Sequence, residues 1–256
     1  WGANFYGQLG DGSTTNRSSP IQVVGLRDVV EIAAGYDHSL VRKQDGTVWA
    51  WGGNSDGQLG DGGTTNWSSP MQVVGLGGVV QIAAGHGHSM ARKQDGAVWA
   101  WGSNFYGQLG DGSVMGRVTP VSVSELAGAI SISAGYKSSF AHKQDGTIWA
   151  WGANYFGSLG DGSTRNRSSP VRVAGLSDVV EIAAGSYSML ARKQDGTVWV
   201  WGGRTDVVDG ASSTRPTLSS WLFKPLSVVA GGTLALALKA DGRVLAWGDN
   251  TDGQLG

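Results

Sequence analysis

One spacing governs this chain. The pair Trp-Gly recurs at Trp1, Trp51, Trp101, Trp151 and Trp201, so four successive units are each 50 residues long. A repeat of this length cannot bury its apolar side chains alone and must stack on its neighbours, which restricts the fold to a solenoid, a propeller or a related array. The units run 1–50, 51–100, 101–150, 151–200 and 201–246, and Trp247 opens a partial unit at 247–256.

Inside the first unit, "VVEIAAG" (29–35), "SLVRK" (39–43) and "TVWAWG" (47–52) are β-branched, aromatic and small-residue runs bounded by turn signals. We label them strands A, B and C. A weaker run, "PIQVVG" (20–25), is read as strand D, with Pro20 at its entry, where a missing N–H does least harm. The Asp-Gly of "QDG" at 44–46 supplies the positive φ that a tight hairpin turn needs. No segment carries a capped apolar period of 3.6, so helices should be scarce.

Four short antiparallel strands per unit fit the blade of a β-propeller, and the fold class expected is all-β. Strand C agrees with this: Trp49 and Trp51 share one face, Val48 and Ala50 the other, and none is polar. Both faces are then buried between neighbouring blades. A parallel β-helix is the structural rival, but its rungs are shorter and lack Asp-Gly hairpins.

The string W-G-x-N-x-x-G-Q-L-G, then Pro and a valine-rich strand, then A-A-G-x-x-H-S and D-G-x-V-W-A, resembles the regulator of chromosome condensation repeat family across essentially the whole chain. The resemblance implies a propeller, commonly of seven blades, and the regular tandem repeats suggest a bacterial type. Unit five departs from it, with "WGGRTDVVDGASSTRPTLSSWLF" (201–223) in place of the usual turn, and an irregular loop is expected there.

Strands of type A occur five times, ending at Gly35, Gly85, Gly135, Gly185 and Gly231, whereas the Trp-Gly strand occurs six times. A ring closed within the chain would need strand D at 20–25 to complete the last blade, and residues 1–10 and 247–256 would compete for one slot. Otherwise the chain is part of a larger ring, or one end pairs with another molecule, as in a strand-swapped or ring-completing homo-oligomer. The start at Trp1, with neither an initiator Met nor a signal pattern, reads as a mature product or an excised piece.

Composition excludes several classes of partner. A net charge of −1 with 15% charged residues leaves no surplus to neutralise a phosphate backbone, so nucleic acid is not expected. No apolar run approaches the roughly 20 residues that cross a bilayer, and no membrane partner is expected. Cysteine is absent, which removes thiolate metal sites and thiol nucleophiles.

Comparing units within this one chain separates frame from surface. The G-Q-L-G-D-G glycines suit tight turns, and Leu9, Leu59, Leu109 and Leu159 read as core plugs. Asp11, Asp61, Asp111 and Asp161 are read as Asx-type turns in preference to a ring of metal carboxylates. The positions that differ between units are the aromatic and polar ones after A-A-G and after W-G-x-N. If strand A rises, the A–B and C–D turns share one rim, while the constant K-Q-D-G turns lie on the other.

The candidate partner-binding residues are therefore Tyr36, His38, His86, His88, Phe105, Tyr106, Tyr136, Lys137, Tyr155, Phe156 and Tyr187. The bland alternative is that the Phe/Tyr pairs fold back over the blade cores. His86 and His88 form the only metal-like pair, and without a third ligand they fall short of a site. No nucleophile motif, phosphate loop or cofactor signature appears, so neither enzymatic activity nor a cofactor is expected.

Three functions follow from the resemblance. A scaffold that binds a protein partner on the variable rim is preferred. A lectin-like module binding repeating sugars is the second reading. An exchange factor for a small GTPase is the third, although the uniform period leaves no room for the inserted wedge of those members. Plant photoreceptor members carry a Gly-Trp-Arg-His-Thr string that is absent here.

Overall fold

A computed structural model describes residues 1–203, 212–251 and 253–256. Five antiparallel sheets follow one another along the chain. The first holds β1 (Val29–Ala34), β2 (His38–Lys43), β3 (Val48–Gly52) and β4 (Trp67–Gln72). The second holds β5 (Val79–Ala84), β6 (His88–Lys93), β7 (Val98–Gly102) and β8 (Arg117–Ser122), and the third β9 (Ala129–Ala134), β10 (Ser138–Lys143), β11 (Ile148–Gly152) and β12 (Arg167–Arg172).

The fourth comprises β13 (Val179–Ala184), β14 (Ser188–Lys193), β15 (Thr197–Gly202) and the long β16 (Ser213–Phe223). The fifth has three strands, β17 (Ser227–Gly231), β18 (Leu234–Leu238) and β19 (Val244–Gly248). The protein is thus an all-β propeller of five blades, and no α-helix occurs among the described residues. The unit-five loop lies partly outside the described residues, at 204–211.

The apolar layers lie between blades. The layer joining the first two is built from Leu40, Val48 and Ala50 on one side and Val79, Ile82, Ala91 and Trp101 on the other, with Leu59, Val73 and Leu76 closing its edge. The same set recurs 50 residues on, around Trp151 and then Trp201. Each of these indoles is completely buried, contributing about 5 kcal/mol of transfer free energy before entropy is counted.

Each indole also carries a polar stitch. Trp51, Trp101 and Trp151 donate Nε1–H to the backbone carbonyls of Gln8, Gln58 and Gln108, and Trp201 to that of Ser158, all at 2.9 Å. The acceptor lies 43 residues earlier, in the loop leaving the preceding unit. A second stitch runs lower down. Glu31 accepts from the Ile82 N–H at 3.2 Å and Gln81 from the Ile132 N–H at 3.0 Å, while Arg42 and Arg92 steady the two acceptors.

The outer strand differs from expectation. It begins three residues earlier, so Pro70, Pro120 and Pro170 sit within β4, β8 and β12. A register shift in each pairing, between Ala50 and Gly52 in the first blade, absorbs the proline, which an edge strand tolerates. In the first unit the corresponding residues form no strand. Only Gly2 and Arg17 bridge, and 20–25 does not complete the last blade.

The fan is consequently open. Ile32 is 78% exposed, although its equivalents Ile82 and Ile132 are buried against a preceding blade. A groove of about 430 Å³ runs along this face, bordered by Val23, Leu26, Val29 and Ile32.

Candidate functional site

Two sets of loops meet on one rim. The A–B turns are closed by short backbone bonds, such as Gly35 N–H to the His38 carbonyl at 2.8 Å, and leave a single prominent side chain at Tyr36, His86 and Tyr136. The C–D loops are shaped by buried asparagines. Asn104 Oδ1 accepts from the Leu109 N–H at 2.9 Å, and its Nδ2 donates to the Ser113 and Met115 carbonyls. Asn4, Asn54 and Asn154 do the same in their units.

With their backbones fixed, the loops hold their aromatic rings in one connected band. Tyr36 stacks on His86 at 4.5 Å between centroids, and His86 meets Tyr136 edge-on at 4.4 Å. Tyr136 reaches Tyr187 at 5.6 Å, Tyr187 reaches Tyr155 at 5.8 Å, and Tyr155 reaches Tyr106 at 5.5 Å. Lys137 then closes a circuit, its ammonium 4.9 Å from the Tyr106 ring and 5.0 Å from the Tyr136 ring. Phe156 leans on Tyr187 at 6.0 Å. The band draws on both kinds of loop, so the two kinds of turn share a rim.

The circuit polarises its members. A hydrogen bond between the Tyr106 and Tyr155 hydroxyls, with the Lys137 ammonium beside it, holds the Tyr106 phenol below its usual range. That same bond, together with burial, pushes Tyr155 up to about 12. Burial and Lys137 lower His86, leaving it neutral at pH 7. The rim is therefore an amphipathic surface of phenols beside the Lys137 ammonium, with the Asp37 and Asp56 carboxylates near His86.

Below the band the channel mouth is plain. Its wall is the Ala-Gly pair that ends successive innermost strands, Ala34 and Gly35 through Ala184 and Gly185, around a space of about 320 Å³, with Tyr36, His86, Tyr136 and Ser186 at its lip. The wall itself offers backbone and methyl groups.

Two candidates fall away. His38 and His88 are buried, and each Nε2 lies 3.0 Å from a serine hydroxyl of the next blade, Ser89 and Ser139. The third residue after A-A-G starts the second strand of the blade and points between the sheets, so neither imidazole meets a partner. His86 and His88 accordingly diverge, one on the rim and one inside. Phe105 stands 75% exposed, and Tyr36 70%, while Phe105 takes no part in the ring network.

The conserved-looking carboxylates are turn closers. Asp111 Oδ1 accepts from the Ser113 N–H at 2.9 Å and its Oδ2 from Arg117 at 2.8 Å. Among the described residues no group of three His, Asp or Glu side chains could hold a metal ion. The buried asparagines were missed by reading the variable positions, although their constancy between units was the signal that marks them.

Comparison with known proteins agrees with this architecture. The RCC1-like domain model matches residues 1–210, and the regulator of chromosome condensation (RCC1) repeat model matches 226–254. Human WBSCR16 superposes with a TM-score of 0.82 over 97% of this chain and 72% of that one, at 24% identity. Prp20p from Saccharomyces cerevisiae, whose binding to Gsp1p and histones was studied with its structure, gives 0.67 over 97% and 80%, at 22% identity. The yeast protein bound to Kap60 gives 0.62 over 98% and 78%, also at 22%. At these identities the superpositions show a shared fold and nothing further.

Proposed function

This chain belongs to the RCC1-like domain family, and from that premise we propose that it is a non-enzymatic scaffold that captures a protein partner on its aromatic rim. The observation that carries the reading is the band from Tyr36 to Tyr106 closed by Lys137. Tyrosine-rich, rigidly mounted surfaces give large contact area at low entropic cost, with hydroxyls left to hydrogen-bond. Yeast Prp20p, of the same fold, binds proteins. The rim loops differ from unit to unit, so partner identity is not carried over from relatives.

A Tyr36→Ala/Phe105→Ala/Lys137→Met variant separates binding from folding, because the first two side chains are the most exposed of the set. Affinity capture with wild type and variant, read by mass spectrometry, should yield proteins retained by the first and lost by the second. Equal retention by both would remove the rim from the reading. Binding of wild type to a glycan array, with no protein retained, would favour the lectin-like alternative.

A further inference from the structure

The rim is not uniform along its length. Each C–D loop leans on the A–B turn of the following blade, and the pair that meets there changes from seam to seam. Asp56 lies over Gly87, where an added Cβ would stand 3.1 Å from its Oδ2. One seam on, Tyr106 faces Lys137, whose ammonium is 4.9 Å from the ring. At the next, Phe156 meets Tyr187 at 6.0 Å between centroids. The three seams offer, in order, a carboxylate, an ammonium and a phenyl ring.

The rim charges lack partners of their own. Asp11, Asp111 and Asp161 are paired with arginines, as are Glu31 and Glu181. Asp37, Asp56 and Lys137 enter no salt bridge among the described residues. All three are half-buried, so each has lost part of its hydration with no opposite charge to offset it. They also lie around one imidazole: beyond the effect of burial, Lys137 lowers His86 while Asp37 and Asp56 raise it.

Hydrogen bonding gives the cationic seam a direction. Tyr155 and Lys137 both donate to the Tyr106 oxygen, which leaves the Tyr106 O–H as an outward donor beside the ammonium. A carboxylate accepts from both at once. At the third seam Phe156 is held at φ +56°, a region uncommon for a bulky residue, with its ring 57% exposed.

We propose, on the reading of the rim as the binding face, that its partner is a polypeptide segment presenting a basic side chain to Asp37 and Asp56, an acidic one to Lys137 and Tyr106, and an apolar one to Phe156. Charge complementarity selects this class of partner. Nucleic acids and acidic glycans carry one sign only and would meet the carboxylates beside His86 with repulsion, whereas a short peptide carries both signs.

Random peptides displayed against immobilised wild type should enrich sequences that pair a basic with an acidic residue at a constant separation. Selection on Lys137→Glu should put a basic residue at the acidic position, and selection on Asp56→Lys should do the reverse. For one enriched peptide, titration calorimetry should show binding to Lys137→Glu weakened about tenfold or more, and restored when the acidic residue of the peptide becomes lysine. Lys137→Met and Asp56→Asn remove charge without reversing it, and each should weaken the same peptide with unchanged circular dichroism, which separates the effect from misfolding. Enriched peptides indifferent to these two variants yet lost on Tyr36→Ala/Phe105→Ala would overturn the charge pattern and leave the rim as the binding face. A library that yields no enriched sequence would overturn the pattern too, while affinity capture with the triple variant still decides the rim itself.

Discussion

His38 Nε2 lies 3.0 Å from Ser89 Oγ across the first inter-blade layer, and His88 repeats the relation with Ser139. Burial holds the two imidazoles neutral, with His38 lowered to about 4 and His88 to about 3. Above pH 6.5 native and unfolded chains are both neutral there, and the stability is complete. As pH falls from 6.5 towards 4, the unfolded chain takes up protons that the native one refuses, so stability falls. The loss attributable to His38 alone is on the order of 3 kcal/mol. Thermal unfolding should drop steeply between pH 6.5 and 4, and His38→Gln/His88→Gln should flatten that slope; equal slopes in both proteins would contradict it.

Asn104 is buried and satisfies a loop that the rim depends on. Asn104→Ala strands the buried Leu109 amide and removes a donor from the Ser113 and Met115 carbonyls, costing about 1–3 kcal/mol. Urea denaturation measures this. A change under 0.5 kcal/mol would mean that water replaces the side chain.

Glycine positions divide by what faces them. Gly110 has φ +70°, and an added Cβ would sit 2.7 Å from Trp151 Nε1, whereas Gly75, at φ +66°, faces open space. Gly110→Ala should cost about 3 kcal/mol or more, through strain and a broken indole stitch, and Gly75→Ala about 1 kcal/mol. Paired denaturation curves decide, and equal losses would deny the indole contact a role.

The phenols of the rim should titrate apart. Tyr106 is lowered by Tyr155 and Lys137, so its phenolate absorbance should rise first among this pair, with Tyr155 following near 12. Lys137→Met should move the early transition upward. An unchanged early transition would detach Lys137 from the circuit.

How much of this was legible beforehand depends on which interactions repeat. Trp101, Leu109 and the Asp-Gly hairpins announced the blades because one period imposes them everywhere, and the Asx turns at Asp111 were readable from chemistry alone. His38 was misplaced because alternation along a strand starts wherever pairing starts, and a turn residue differs from a first strand residue by one position. The outer strand was shifted because Pro70 looks like an entrance but sits in a bulge. That Tyr136, Lys137 and Tyr106 close a circuit depends on the angle between blades, which no single unit encodes.

The indole stitch also bears on inheritance. Because Trp101 and Trp151 meet identical partners on identical neighbours, deleting or duplicating a whole 50-residue module would recreate an intact joint on both sides. Gain or loss of whole modules would therefore change the length of the array while leaving each seam sound.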